Sequence, residues 1–177
     1  LKALGAFIFA AGLVVAGVAA PAQAAAPIAS PTDIVVAGST NSTATTVTFD
    51  VPAGANFISL QGGSSIGVIF AGGNSNPPAS QTFGTTAAYC ESSGTHVKIA
   101  ANPAFSANGD CSVGIMGLAL YLPNAYTGTI TVELEPGALS FSSNPSSGGW
   151  GLSAAVKQAG QTIAGYGSSI ALTTGSP

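Results

Sequence analysis

The chain has 177 residues, of which 5% are charged, against about 25% in typical soluble domains, and it contains no arginine. Three lysines oppose six carboxylates for a net charge of −3, so there is no cationic footprint for phosphates, which excludes nucleic acid and anionic membrane surfaces as partners. Hydrophobic residues make up 46% of the chain and fall in short bursts between turn residues, the composition of a folded domain and not of a disordered one.

Lys2 is followed by an uncharged apolar run from Ala3 to Ala20, then by Pro21 and the small-residue sequence Ala22-Gln23-Ala24. A basic residue, an apolar stretch and an A-x-A site, in that order, predict a secretory signal peptide over 1–24. The run is about long enough to cross a bilayer, so a retained anchor is the alternative. Gly5, Gly12 and Gly17 weaken such a helix, and no basic stop-transfer cluster follows it. A pilin-type leader is disfavoured because no acid precedes Asp33. The style of the leader is bacterial. Cleavage leaves no transmembrane segment and two lysines against six carboxylates, a net charge of −4. The remainder suits one domain with its own core.

Residues 25–32 form an Ala/Pro/Ser stretch expected to stay extended or flexible, and the domain proper runs over 33–177. Asp33–Ala37 is the first apolar burst. Thr45–Val51 alternates strictly, with Val47, Phe49 and Val51 on one face and Thr46, Thr48 and Asp50 on the other, which predicts a half-buried antiparallel strand. Pro52-Ala53-Gly54 breaks it. Phe57–Leu60 and Ser65–Phe70 follow as strands, and Gly72–Ser80 is a loop. Thr85–Cys90 and Thr95–Ala100 flank a connection of hairpin length ending in Gly94.

Asn102–Asp110 is a second loop. Cys111–Leu122 is the most apolar stretch after the leader and is expected to be one central strand with a change of phase near Gly117, as at a bulge. Thr129–Leu134 alternates again, with Ile130, Val132 and Leu134 inward and Thr131, Glu133 and Glu135 outward. Leu139–Ser142, Leu152–Lys157 and Ser169–Thr173 complete about ten strands. No window keeps a 3.6-residue period for three turns, so helix should be nearly absent.

Short strands divided by Gly, Pro, Asn and Ser predict an all-β fold, a single antiparallel β-sandwich. An internal echo supports this: TVTFDVPAGANFISL (Thr46–Leu60) and ITVELEPGALSFSS (Ile130–Ser143) both pass from an alternating strand through a Pro/Gly/Ala turn into another strand. The pattern resembles bacterial immunoglobulin-like modules of secreted and cell-surface proteins. That resemblance covers about 30 residues and implies an immunoglobulin-like sandwich, a scaffold that hosts adhesion, carbohydrate binding and spacing alike. Cys90 and Cys111 are an even count in an exported chain, which predicts a structural disulfide. It encloses 20 residues, a loop whose closure stabilises by roughly 3 kcal/mol on a chain-entropy estimate. Antibody-type domains place a Trp between their two cysteines; Trp150 follows both here, so this disulfide is not expected to be the inter-sheet bridge of that family.

Catalytic signatures are lacking. His96 is the only histidine, no nucleophile elbow is present, and Gly62-Gly63-Ser64-Ser65-Ile66-Gly67 reads as a hairpin loop. The glycine-rich runs lack the GK[ST] of a phosphate loop. Glu133 and Glu135 lie two apart on one strand face, about 7 Å from each other. They read as solubilising charges; glycoside hydrolysis would need aromatics nearby, and a calcium site would add Asp50 or Asp110. No other cofactor is indicated. Trp150, Tyr121, Tyr126 and Tyr166 are the candidates for stacking on sugar rings or filling a partner's pocket. Asn41-Ser42-Thr43 is a formal glycosylation sequon, expected to be idle in a bacterial protein. Together these features predict an exported, non-catalytic cell-envelope or extracellular structural or adhesion protein, its partner a cell-wall polymer, a protein surface or another copy of itself. The alternatives are a carbohydrate-binding module and a small secreted hydrolase.

Overall fold

Alternation of apolar and hydroxyl residues with period two is realised directly as paired strands. The computed structural model describes residues 28–30, 38–63, 67–72, 81–92, 95–123, 126–143 and 150–172, with backbone alone for 28–30, 150 and 163–172. Among them are thirteen strands and no helix. One antiparallel sheet has the order β1 (Ile28–Ser30), β2 (Thr45–Val51), β10 (Gly128–Leu134), β7 (Thr95–Asn102), β6 (Tyr89–Ser92). The second has the order β13 (Gln161–Leu172), β12 (Trp150–Gln158), β3 (Phe57–Gln61), β9 (Gly117–Tyr121), β8 (Gly109–Gly114), β5 (Gln81–Phe83). A two-stranded ribbon joins β4 (Val68–Phe70) to β11 (Leu139–Phe141).

The inward residues of both large sheets and of the ribbon belong to one core. Val47, Phe49, Ile130, Val132 and Leu134 come from the first sheet, and Ile58, Leu60, Leu118, Leu120 and Leu152 from the second. Phe70 and Leu139 of the ribbon close it. This two-layer antiparallel arrangement is what the alternation predicts. Residues 1–27, including the expected signal peptide, and the burst at 33–37 lie outside the described residues. Within the stretch expected to be extended or flexible, Ile28–Ser30 pairs along β2, Ile28 opposite Thr48 and Ser30 opposite Thr46.

Two expectations are corrected. Residues 111–122 are not one bulged strand: β8 and β9 form a hairpin around Ile115-Met116, with Cys111 opposite Leu120 and Val113 opposite Leu118. A two-residue turn shifts the inward parity from odd to even numbers, the same shift a bulge would give. The first half of the 85–90 stretch is irregular and the strand begins at Tyr89, whereas Gln81–Phe83, inside no expected strand, pairs with β8. The Cys90–Cys111 disulfide joins the two sheets, from β6 to β8. It sits at one margin, where β6 is the terminal strand of its sheet.

That margin is also tied by Gln81. Its amide accepts from the Glu91 backbone N–H (2.7 Å) and donates to the Glu91 carbonyl. Beneath it, Phe105 of the 103–108 loop packs between Phe83 and Tyr126, with ring centroids 5.4 and 4.9 Å apart.

The two echoing turns share one geometry. Ala55 N–H donates to the Pro52 carbonyl and Ala138 N–H to that of Glu135, while Gly54 and Gly137 hold φ of 85° and 82° at the third position, where a side chain is disfavoured. Asn41 secures the second turn. It is 3% exposed. Its side-chain oxygen accepts from Leu139 N–H (2.8 Å), and its amide donates to the carbonyls of Glu135 (2.8 Å) and Thr43 (2.9 Å). Its own backbone pairs with Leu139 and Gly137. The sequon asparagine is therefore a buried structural residue with its amide fully engaged. Truncation in Asn41→Ala leaves several buried polar groups unpaired and is expected to cost about 2–4 kcal/mol, read as a lower urea midpoint at unchanged slope.

Candidate functional site

Short side chains and paired charges leave two outer faces with opposite characters. On the first sheet, β6, β7 and β10 place charged residues in cross-strand register: Tyr89, Lys98 and Glu133 in one row, Glu91 and His96 in the next. Lys98 Nζ lies 3.0 Å from Glu133 and 2.9 Å from Glu135. His96 Nδ1 is 2.5 Å from Glu135 Oε2, its Nε2 is 3.1 Å from Glu91 Oε1, and the Tyr89 ring stacks on the imidazole at 4.3 Å. Four of the nine charged residues of the chain gather in this patch.

This arrangement settles what these groups can do. A triad needs one imidazole nitrogen turned to a hydroxyl nucleophile, and both nitrogens of His96 face carboxylates. Glu133 and Glu135 do share a face, as expected, with the Lys98 ammonium between them. Asp50, offered as a third calcium ligand, stands opposite Thr129, four positions along the strand from the residue opposite Glu133; Asp110 is in the other sheet. Among the described residues no group of three or more His, Cys, Asp or Glu is arranged to hold a metal.

The outer face of the second sheet has a floor of small uncharged residues. Ser59 and Gln61 of β3, Ala119 and Gly117 of β9, and Ser112 and Gly114 of β8 line a shallow depression of about 260 Å³. Phe57 and Tyr121 rise along one side, their rings in edge contact at 5.0 Å, and Lys157 Nζ stands 5.4 Å from the centre of Phe57. Met116, at the tip of the β8–β9 hairpin, rises on the other. Tyr121 and Met116 are each 53% exposed.

Of the four aromatic candidates, Tyr121 is on this face. Tyr126 is not a surface group: it is 8% exposed, and its hydroxyl donates between the carbonyls of Pro103 (2.9 Å) and Thr129 (3.2 Å). Burial pushes its phenol pKa up, against a backbone hydrogen bond at Asn102 that lowers it. Trp150 and Tyr166 lie in β12 and β13, and their side chains are outside the described residues. Sequence reasoning missed Phe57, Met116 and Lys157 and offered Asp110 only as a calcium ligand; three strands and a turn bring these four to one face, and the one local signal was two apolar residues, Ile115 and Met116, at a glycine-flanked turn. No protein-family model, curated protein or solved structure matches this chain.

The charged patch yields a pH test. Glu135 is held below the ordinary carboxyl value of 4.5, first by its hydrogen bond with His96 and then by Lys98. Lys98 is raised above the ordinary lysine range by Glu135 and Glu133 in turn. A depressed carboxyl pKa stabilises the fold above the unfolded value, and that contribution is lost as pH falls through the folded one. The urea midpoint should therefore drop on acidification below about pH 4.5, and the drop should be shallower in Glu135→Gln. Being partly exposed, these ion pairs add little net stability at neutral pH.

Proposed function

We propose that this is an exported, non-catalytic protein of the cell envelope or extracellular space, a structural or adhesion module of immunoglobulin-like sandwich type, working through the outer face of its second sheet. One observation carries the reading: that face presents a charge-free floor of Ser, Ala, Gly and Gln rimmed by exposed Tyr121 and Met116, a surface suited to contact and too open to enclose a reacting group. The apolar leader and the disulfide support export. The repeated Pro/Gly/Ala corner at Pro52–Ala55 and Glu135–Ala138 supports the immunoglobulin-like reading.

A carbohydrate-binding module is the second reading, favoured by the exposed ring of Tyr121 one row from the polar groups of Ser59 and Ser112. Retention of the purified protein on isolated envelope material tests both. Tyr121→Ala removes an exposed ring and leaves the core intact, so it should weaken retention at least tenfold with an unchanged melting temperature. Elution by soluble neutral oligosaccharides identifies the carbohydrate module; resistance to it identifies a structural or adhesion contact. A protein retained by neither envelope material nor immobilised copies of itself would sink both readings.

A further inference from the structure

The rim of the second sheet's outer face has an order that is its own complement. Strand register places Lys157, Phe57, Tyr121 and Asp110 side by side across β12, β3, β9 and β8. The row reads cation, aromatic ring, aromatic ring, anion, at successive strand spacings of about 4.8 Å. All four side chains are on the outer face, alternating with buried Val156, Ile58, Leu120 and Cys111. Among the described residues Lys157 has a ring contact and no carboxylate partner: its row neighbour is Phe57, and Asp110 lies three strands away.

We propose that a second copy of this chain docks on this face through a two-fold axis lying between the two facing sheets, parallel to the strands and above the line midway between β3 and β9. This rests on reading that face as a contact surface. Such an axis exchanges β12 with β8 and β3 with β9. It sets Lys157 against Asp110 of the second copy and Phe57 against its Tyr121, each contact occurring twice, as an isologous interface requires.

The next rows obey the same operation. Ala155, Ser59, Ala119 and Ser112 are in register, as are Ser153, Gln61, Gly117 and Gly114. The axis lays Ser59 on Ala119 and Gln61 on Gly117 of the other copy, a larger residue on a smaller one each time. No pair of like charges meets anywhere in these three rows.

The face spans three strand spacings of about 4.8 Å by two row spacings of about 6.8 Å between these residues, a few hundred Å² per copy with their side chains. That is below the roughly 800 Å² per partner of a standard interface, so association is weak, with a dissociation constant of tens of micromolar or higher.

Sedimentation velocity from about 10 µM to about 1 mM reads the equilibrium. The native protein should pass from monomer to dimer, less readily at high salt. Lys157→Glu and Asp110→Lys each place like charges together twice and should weaken dimerisation at least tenfold, with melting temperatures near that of the native protein. The double variant restores both contacts with reversed polarity and should recover dimerisation to within about threefold. A native protein that stays monomeric at the highest concentration, or single variants that dimerise like it, or a double variant that stays as weak as the singles, would overturn the proposal. Monomeric behaviour with undiminished retention on envelope material overturns the two-fold dimer alone, whereas loss of both kinds of binding removes the contact-surface reading as well.

Discussion

Burial of one face of each large sheet against the other is the constraint on which the rest of the structure depends. Each Leu, Ile or Phe taken fully out of water contributes about 1.5–3 kcal/mol, and Phe49, Phe70, Phe83, Ile58, Leu60, Leu120, Ile130, Leu134, Leu139 and Leu152 are all in that state. The disulfide adds roughly 3 kcal/mol. Burial on this scale demands that backbone groups at the corners find partners away from water. Asn41 meets that demand where the chain leaves β10 for β11, substituting one side-chain amide for several missing strand contacts.

Much of the fold was legible because alternation is a local property. Thr45–Val51 and Gly128–Leu134 carry their inward and outward faces in their own sequence, and they pair with each other. The echoing Pro/Gly/Ala turns were legible too, since both need glycine at a positive φ. What escaped has physical causes. The hairpin at Ile115-Met116 and a bulge at Gly117 shift parity alike, so alternation does not separate them. Gln81–Phe83 is too short and polar to carry a period. Asn41 reads as a sequon because three residues show its pattern and, Thr43 apart, none of its side-chain partners, which lie 93 to 98 positions away.

The candidate site was less legible for the same reason carried further. Tyr121 was selected as an aromatic residue near a strand end, a rule that selected Tyr126 equally well. Their separation into a half-exposed ring and a buried one depends on Phe105, Pro103 and Thr129, which no local pattern links to either tyrosine. Lys157, Phe57, Tyr121 and Asp110 form a row only because four strands are in a particular register. Glu133 and Glu135 were placed correctly on one face; the lysine between them comes from β7 and is visible only once β7 and β10 are paired.

Charge, scarce in this chain, is concentrated on one side. Glu91, Lys98, Glu133 and Glu135 mark the first sheet's outer face as solvent-facing, and the second sheet's face is left nearly bare. A protein with so little repulsion between copies needs another way to avoid joining its neighbours strand by strand. Gln81 supplies one: by occupying both the N–H and the C=O of Glu91 on the terminal strand β6, its amide stands where the next strand of a growing ladder would bind. A single side chain thus acts as a chain terminator at this one edge of the first sheet.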